Sequence, residues 1–252
     1  MELKISGKRA VVIGGSQGLG LAVCERLAAE GVDLLVFARD PDRLASCQQQ
    51  LRQGHRVVVD TCVGNITCEA DIERLAAQVE ALGGAQILVL NTPRPPSPMR
   101  DFLDEQDQAR WDQGYQQQLH GALLVLRKIV PLIVRTGWGR VVAITSASIK
   151  QPMPRHAISG VFRAGVQTAL KHLSMEVADK GVTVNSVAPA TVMTPTFGSF
   201  HNVEQRIQAV PIKRAGTPEE LAATVAFLAS EHAGFITGEN IQLDGGQTRS
   251  LF

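Results

Sequence analysis

The sequence predicts a doubly wound parallel α/β sheet of seven strands with helices on both faces, over a single domain spanning residues 1–252. Three observations predict it. Short apolar runs alternate with helix-period segments four times within the first ninety residues. The runs are continuous rather than alternating, as expected for strands covered on both faces. A glycine-rich turn separates the first run from the first helix.

The elements follow in order. Arg9–Gly14 carries Ala-Val-Val-Ile, and residues 18–30 place Leu19, Val23, Leu27 and Ala28 on one helical face. Asp33–Ala38 is the second strand, and Pro41 opens a helix reaching about Gln53, where its fixed φ suits the first turn. Residues 56–59 read as a third strand, 69–82 as a helix with Ile72, Leu75, Val79 and Leu82 on one side, and 86–90 as a fourth strand. Thr92 to Pro98 is too proline-rich for helix or inner strand. A long helix is expected over 106–135, a strand over 140–145, a helix over 159–180 and a strand over 181–187. The connection 188–216 reads as substrate-side cover with a short helix near 202–209, followed by a helix over 218–230 and a last strand over 240–243.

Composition narrows the function. With 25 basic and 24 acidic side chains, no nucleic-acid or membrane-surface footprint is visible. No apolar run of membrane-spanning length and no leader-like core stand out, and Cys24, Cys47, Cys62 and Cys68 show no metal or redox spacing. Reduced thiols and a cytoplasmic location are therefore expected, with no metal site.

Gly14, Ser16, Gln17, Gly18, Leu19 and Gly20 lie in the turn that opens the first helix. Glycine lets backbone approach a pyrophosphate, and the helix start supplies N–H groups and a positive dipole end. A tight turn with close helix–strand packing is the plainer account of the same glycines.

This turn resembles the Gly-x-x-x-Gly-x-Gly motif of the short-chain dehydrogenase/reductase (SDR) family, with Ile13 for the usual threonine before it. The resemblance runs the length of the chain. It includes Val184 to Pro189 with Ala190 in place of a glycine, Arg214 to Leu221, Phe227 to Ser230, Ile236 to Gly238 and Leu243 to Gly246. It implies a Rossmann-like fold, hydride transfer between a nicotinamide and a carbonyl carbon, and assembly into dimers or tetramers. The acidic residue that holds the NAD ribose in the family is matched by Ala38, followed by Arg39, which points to NADP(H) ahead of NAD(H). Asn65 stands for the acidic adenine contact. Asn91 is kept after the fourth strand, but Pro93 replaces a glycine, which keeps a form that binds no cofactor open. Thr194 matches the threonine that meets the nicotinamide amide.

The family tetrad of asparagine, serine, tyrosine and lysine falls on Gln118, Ser146, Ser159 and Arg163; only the serine is kept. Ser159 is shorter by a whole ring, while a general acid must come within about 3 Å of the oxygen it protonates. Arg163 is permanently charged and can hold ribose or an acyl carboxylate but cannot relay a proton. The sole tyrosine, Tyr115, lies three residues before Gln118. Substitute acids are His156, seven residues before Arg163 as in the Tyr-x6-Lys spacing of the superfamily's enoyl reductases, Lys150, or a water bridged by Ser159. Phe197, Phe200 and Phe235 are read as packing residues or pocket lining.

The sequence is compatible with three functions. The first is an NADP(H)-linked oxidoreductase on a ketone or secondary alcohol, including a 3-oxoacyl or 3-hydroxyacyl thioester, with a non-standard proton donor. The second is a silent subunit that stabilises an active homologous partner in a hetero-oligomer, and the third a dinucleotide or metabolite sensor.

Overall fold

A computed structural model describes residues 2–251 apart from Thr196, Phe200 and His201. Seven parallel strands form one sheet in the order β3-β2-β1-β4-β5-β6-β7. They are β1 Arg9–Ile13, β2 Asp33–Ala38, β3 Val59–Val63, β4 Ile87–Asn91, β5 Gly139–Ile144, β6 Val182–Pro189 and β7 Asn240–Leu243. The chain leaves β1 toward β2 and β3, then returns to β4 on the other side. The crevice beyond the ends of β1 and β4 is the switch point at which sheets of this kind take ligands.

Helices α1 Gly18–Ala29, α2 Pro41–Gly54 and α8 Pro218–Leu228 cover one face, and α3 Glu69–Ala81, α5 Gly121–Val134 and α6 Ala157–Val177 the other. Strand residues alternate between the two cores, with Val12 and Val36 in one and Val11 and Leu35 in the other. Each such side chain contributes about 1.5–3 kcal/mol by leaving water. The α8 start is fixed by a capping box between Thr217 and Glu220.

The structure differs from the expected elements in three places. The third strand begins at Val59, where residues 56–59 were expected, and runs to Val63. Register with β2 pairs Leu34 with Val59 and Ala38 with Val63. As an edge strand it admits Asp60 and Thr61, while Val58 is exposed. The long helix is α4 Gln108–Gly114 and α5 joined by a π-helical segment, Tyr115–His120. The combined Gln108–Val134 stretch is long and apolar enough to cross a membrane, but nine α5 residues are buried, so it is a core helix. The sixth helix starts two residues earlier than expected, and α7 Val203–Ala209 lies in the cover.

Candidate active site

The glycine turn is built by backbone. Gly14 has φ +69°, and a Cβ there would sit 2.7 Å from the Asn91 carbonyl oxygen. Asn91, ending β4, donates from Nδ2 to the Gly14 carbonyl at 3.4 Å, tying the turn to the neighbouring strand. A Cβ at Gly20 would meet the Gly14 carbonyl at 2.1 Å, so only glycine lets α1 pack this closely. Gly18, at φ +55°, faces open space with only Thr194 Cγ2 at 4.0 Å. Gln17 is the N-cap but makes no capping bond, and the first turn of α1 holds no acidic residue. These free N–H groups suit an anion. Ser16 and Leu19 are half-buried beside them.

Below the turn, Cys24 and Cys47 both point Sγ at the Gly15 carbonyl at 3.7 Å. Burial raises the Cys24 pKa well above the ordinary thiol value and pushes Cys47 up to about 11. All four cysteines are free thiols. Among the described residues no cluster of His, Cys, Asp or Glu has the makings of a metal site.

At the adenosine end, Arg39 is exposed just past β2. Arg43, which sequence reasoning passed over, donates to the Gln17 side chain and pairs with Asp40 at 3.1 Å. Its position on the exposed first turn of α2 was readable, but its reach across to residue 17 was not. Asn65 is exposed and accepts at Oδ1 from the Thr67 N–H. A cradle that a Cβ would fill, with the Arg39 and Arg43 guanidiniums beside it, suits the phosphates and adenosine of a dinucleotide. The fit at this end is good.

The other half is built by side chains. Ser146 follows β5; its Oγ lies 2.9 Å from Ser148 Oγ and caps a short 3-10 turn. Ser159 and Arg163 are both buried one turn apart on α6. Arg163 donates from Nη1 to the carbonyls of Ile144 at 3.1 Å and Thr145 at 2.6 Å, while its buried Nε has no partner. Burial, with the Arg94 charge nearby, pushes its pKa down to about 10. Gln118 is fully buried in the π-helical segment. It donates to the Pro93 carbonyl at 3.4 Å, and its Oε1 is buried without a partner. Segments of this kind occur often at functional sites.

Arg94, a second residue the sequence reading passed over, is exposed and donates from Nη2 to Thr194 Oγ1 at 3.2 Å. It thus reaches from the end of β4 to the loop after β6.

The candidate acids separate. His156 Nδ1 lies 2.7 Å from the Pro154 carbonyl, which only accepts, so Nδ1 carries the proton and Nε2 the lone pair. Burial lowers its pKa, with the charges of Arg206, Arg155 and Arg163 acting the same way and the Pro154 bond opposing. The neutral ring is a proton acceptor at Nε2. Lys150 lines a different hollow, with Lys171 and Glu239 on the outer side of α6, so it is no neighbour of Ser159 there. His156, Ser159 and Glu105 share a cleft with room for about one water. Tyr115 is exposed, its ring 6.1 Å from Phe162. Phe197 is buried, Phe235 is fully exposed and lines nothing, and Phe200 lies outside the described residues. Trp111 of α4 packs between Phe102 and Phe162 and donates to the Glu105 carbonyl at 2.8 Å, closing this side.

A family model described as Enoyl-(Acyl carrier protein) reductase matches residues 14–248. Glucose 1-dehydrogenase of Gluconobacter oxydans is 30% identical over 253 residues, covering 97% of this chain and 93% of that protein. Dehydrogenase/reductase SDR family member 4 of Bos taurus is 30% identical over 256 residues, with coverage of 98% and 89%. The crystal structure of L-sorbose reductase from Gluconobacter frateurii, complexed with NADPH and L-sorbose, superimposes with a TM-score of 0.92 at 28% identity, each chain covered in full. Strand order, glycine turn and these likenesses together make the chain a member of the short-chain dehydrogenase/reductase family.

Proposed function

We propose that the chain is an NADP(H)-linked oxidoreductase acting on a small carbonyl compound or its alcohol, without a tyrosine proton donor. A 3-oxoacyl or 3-hydroxyacyl thioester is within this class. The observation that carries the reading is the uncapped start of α1 at the β1/β4 switch, with Arg39 exposed beside it. NADP(H), when bound, supplies or accepts the hydride. Gly14 to Gly20 hold the pyrophosphate, and Arg39 and Arg43 the ribose phosphate. Asn65 meets the adenine, and Thr194 the nicotinamide amide once Arg94 moves. On the substrate side, Ser146 orients the carbonyl oxygen. Arg163, fixed to two β5-end carbonyls, supplies a stationary positive charge near which negative charge can develop. A water between Ser159 and His156 Nε2 moves the proton, with His156 as acceptor in the oxidative direction. Gln118 keeps Pro93 and the segment after β4 in place.

Proteins of this family act on small molecules and assemble as oligomers, so we take a homodimer or homotetramer in the cytoplasm as the working form. The Arg94–Thr194 bond favours a second reading, a silent subunit that stabilises an active homologue, because it lies across the nicotinamide end.

Calorimetric titration with NADPH and NADH decides between them. NADPH is expected to bind at least about tenfold more tightly, the size of one charge-assisted contact. Arg39→Ala should reduce that preference, Arg43 keeping part of it, and leave NADH binding alone. Failure of both dinucleotides to bind at millimolar concentration removes the enzyme reading. A second family member co-purifying in stoichiometric amount would then support the subunit.

A further inference from the structure

A hollow of about 350 Å³ opens on the outer side of α6, and it shares no lining residue with the cleft of His156 and Ser159. That volume lies within the range of small-molecule sites, whereas the cleft has room for about one water. Three parts of the chain build its walls. Lys150 comes from the end of the 3-10 turn after β5, Gln167 and Lys171 from α6, and Glu239 and Asn240 from the place where β7 begins.

The polar groups of this hollow are mostly donors. Its floor is held by the Ser186 hydroxyl of β6, 2.6 Å from Gln167 Oε1 and 2.8 Å from Asn240 Oδ1. Asn240 Nδ2 is left buried without a partner. A buried N–H without an acceptor is costly, and an occupant that brings one removes the cost. Lys150 is half-buried, and among the described residues its ammonium has no hydrogen bond and no carboxylate within ion-pair distance. Lys171 Nζ donates to the Gly238 carbonyl at 3.1 Å and stands 3.8 Å from Glu239, a long contact between two exposed side chains. Such a pair is weak and yields readily to a competing anion. One carboxylate against two ammoniums leaves the hollow positive, in a chain whose whole formal charge is only +1. Ile149 and Ala164 add an apolar patch to the same walls.

We propose that this hollow is a second ligand site, separate from the cofactor and substrate sides, and that it takes a small organic molecule bearing a carboxylate or phosphate group. The oxyanion accepts from Lys150 and from Asn240 Nδ2, and the carbon stem lies against Ile149 and Ala164. The site does not rest on the reductase reading. It does touch the elements behind that reading: Lys150 ends the turn that Ser146 caps, and the α6 wall carries Ser159 and Arg163 nearer its start.

The test is calorimetric titration of the assembled protein at matched ionic strength, in saturating NADPH so that the glycine turn is not open to the probe. Sodium succinate is compared with succinamide, and glycerol phosphate with glycerol. At least one anion is expected to bind about tenfold or more tightly than its neutral partner. Lys150→Gln should cut the affinity for that anion about tenfold and leave NADPH binding unchanged. Glu239→Gln should raise it about threefold, because the carboxylate competing for Lys171 is gone. Neither side chain is in the core, and a melting curve confirms that the variants stay folded. Preference in the first pair assigns a carboxylate, and preference in the second a phosphate. No anion preference in either pair overturns the proposal. So does a preference that Lys150→Gln leaves intact, which places the anion elsewhere, or an affinity lost equally in both variants. An anion preference that depends on Lys150 in a protein that binds no NADPH keeps this site and removes only the reductase reading.

Discussion

The two halves of one sheet edge are built from different materials. Beside β1 and β2 the site is backbone: glycines at Gly14, Gly18 and Gly20, an open helix start, and the Asn91 brace. Beside β4, β5 and β6 it is side chains: Ser146, Ser159, Arg163, Gln118 and Arg94. A backbone site tolerates little change, because a Cβ at Gly20 or Gly14 collides with main-chain oxygen. A side-chain site can exchange its chemistry with the sheet intact, since α6 still packs on β6 with a serine and an arginine at the altered positions. Family membership is therefore carried by the first half, and in the proposed function the reaction falls to the second.

The contrast can be broken in three places. The largest effect is expected from Gly18→Ala, which places a methyl group at the mouth of the turn where the structure itself has room. NADPH affinity should fall by about 10–100-fold, while stability falls only by the left-handed strain of about 1–2 kcal/mol. Calorimetry and a urea melt read the two separately; unchanged affinity would mean that the turn holds no phosphate. Next is Ser159→Tyr, which returns the family's phenol to a buried position beside a cleft with room for about one water. Overpacking should cost about 1–3 kcal/mol in denaturant unfolding. A neutral effect on stability would show that the altered half is only a surface change.

The smallest effect is on pH dependence. Burial and three arginines lower the His156 pKa below its ordinary 6.5, so the folded state binds fewer protons there than the unfolded state. Its contribution is complete above pH 6.5 and is lost as pH falls from 6.5 through the folded value. His156→Gln should flatten the stability curve in that window alone, measured by urea midpoints across pH. A curve identical to that of the unaltered protein would place the ring in solvent.

Sequence patterns reach as far as local physics does. Continuous apolar runs and a glycine turn at a strand end are local signals, and the sheet order with its nucleotide end follows from them. The third strand was displaced because an edge strand needs apolar residues on one face only, so Asp60 and Thr61 hid it. The π-helical segment left no mark, since Leu119, Leu123 and Leu126 keep a helical spacing through its end. The substrate side was legible by position alone. In the structure Ser146 follows β5 and Ser159 and Arg163 stand one turn apart on α6, whereas the bond from Arg94 to Thr194 joins residues far apart in the chain and forms only through the fold. Lys150 shows the converse: the loop that keeps it near Ser159 in sequence places it at another hollow, with Lys171 and Glu239.

The placement of the two indoles has an optical consequence. Trp111 lies against Phe162 and Phe102 and donates to the carbonyl of Glu105, a residue of the cleft. Trp138 precedes β5 at the opposite end of the strands, stacked under Lys8 at 3.7 Å and Arg140 at 4.1 Å. One fluorophore therefore watches the cleft while the other watches the base of the sheet. A change in emission that survives Trp138→Phe comes from the cleft end, and the molecule carries its own internal reference.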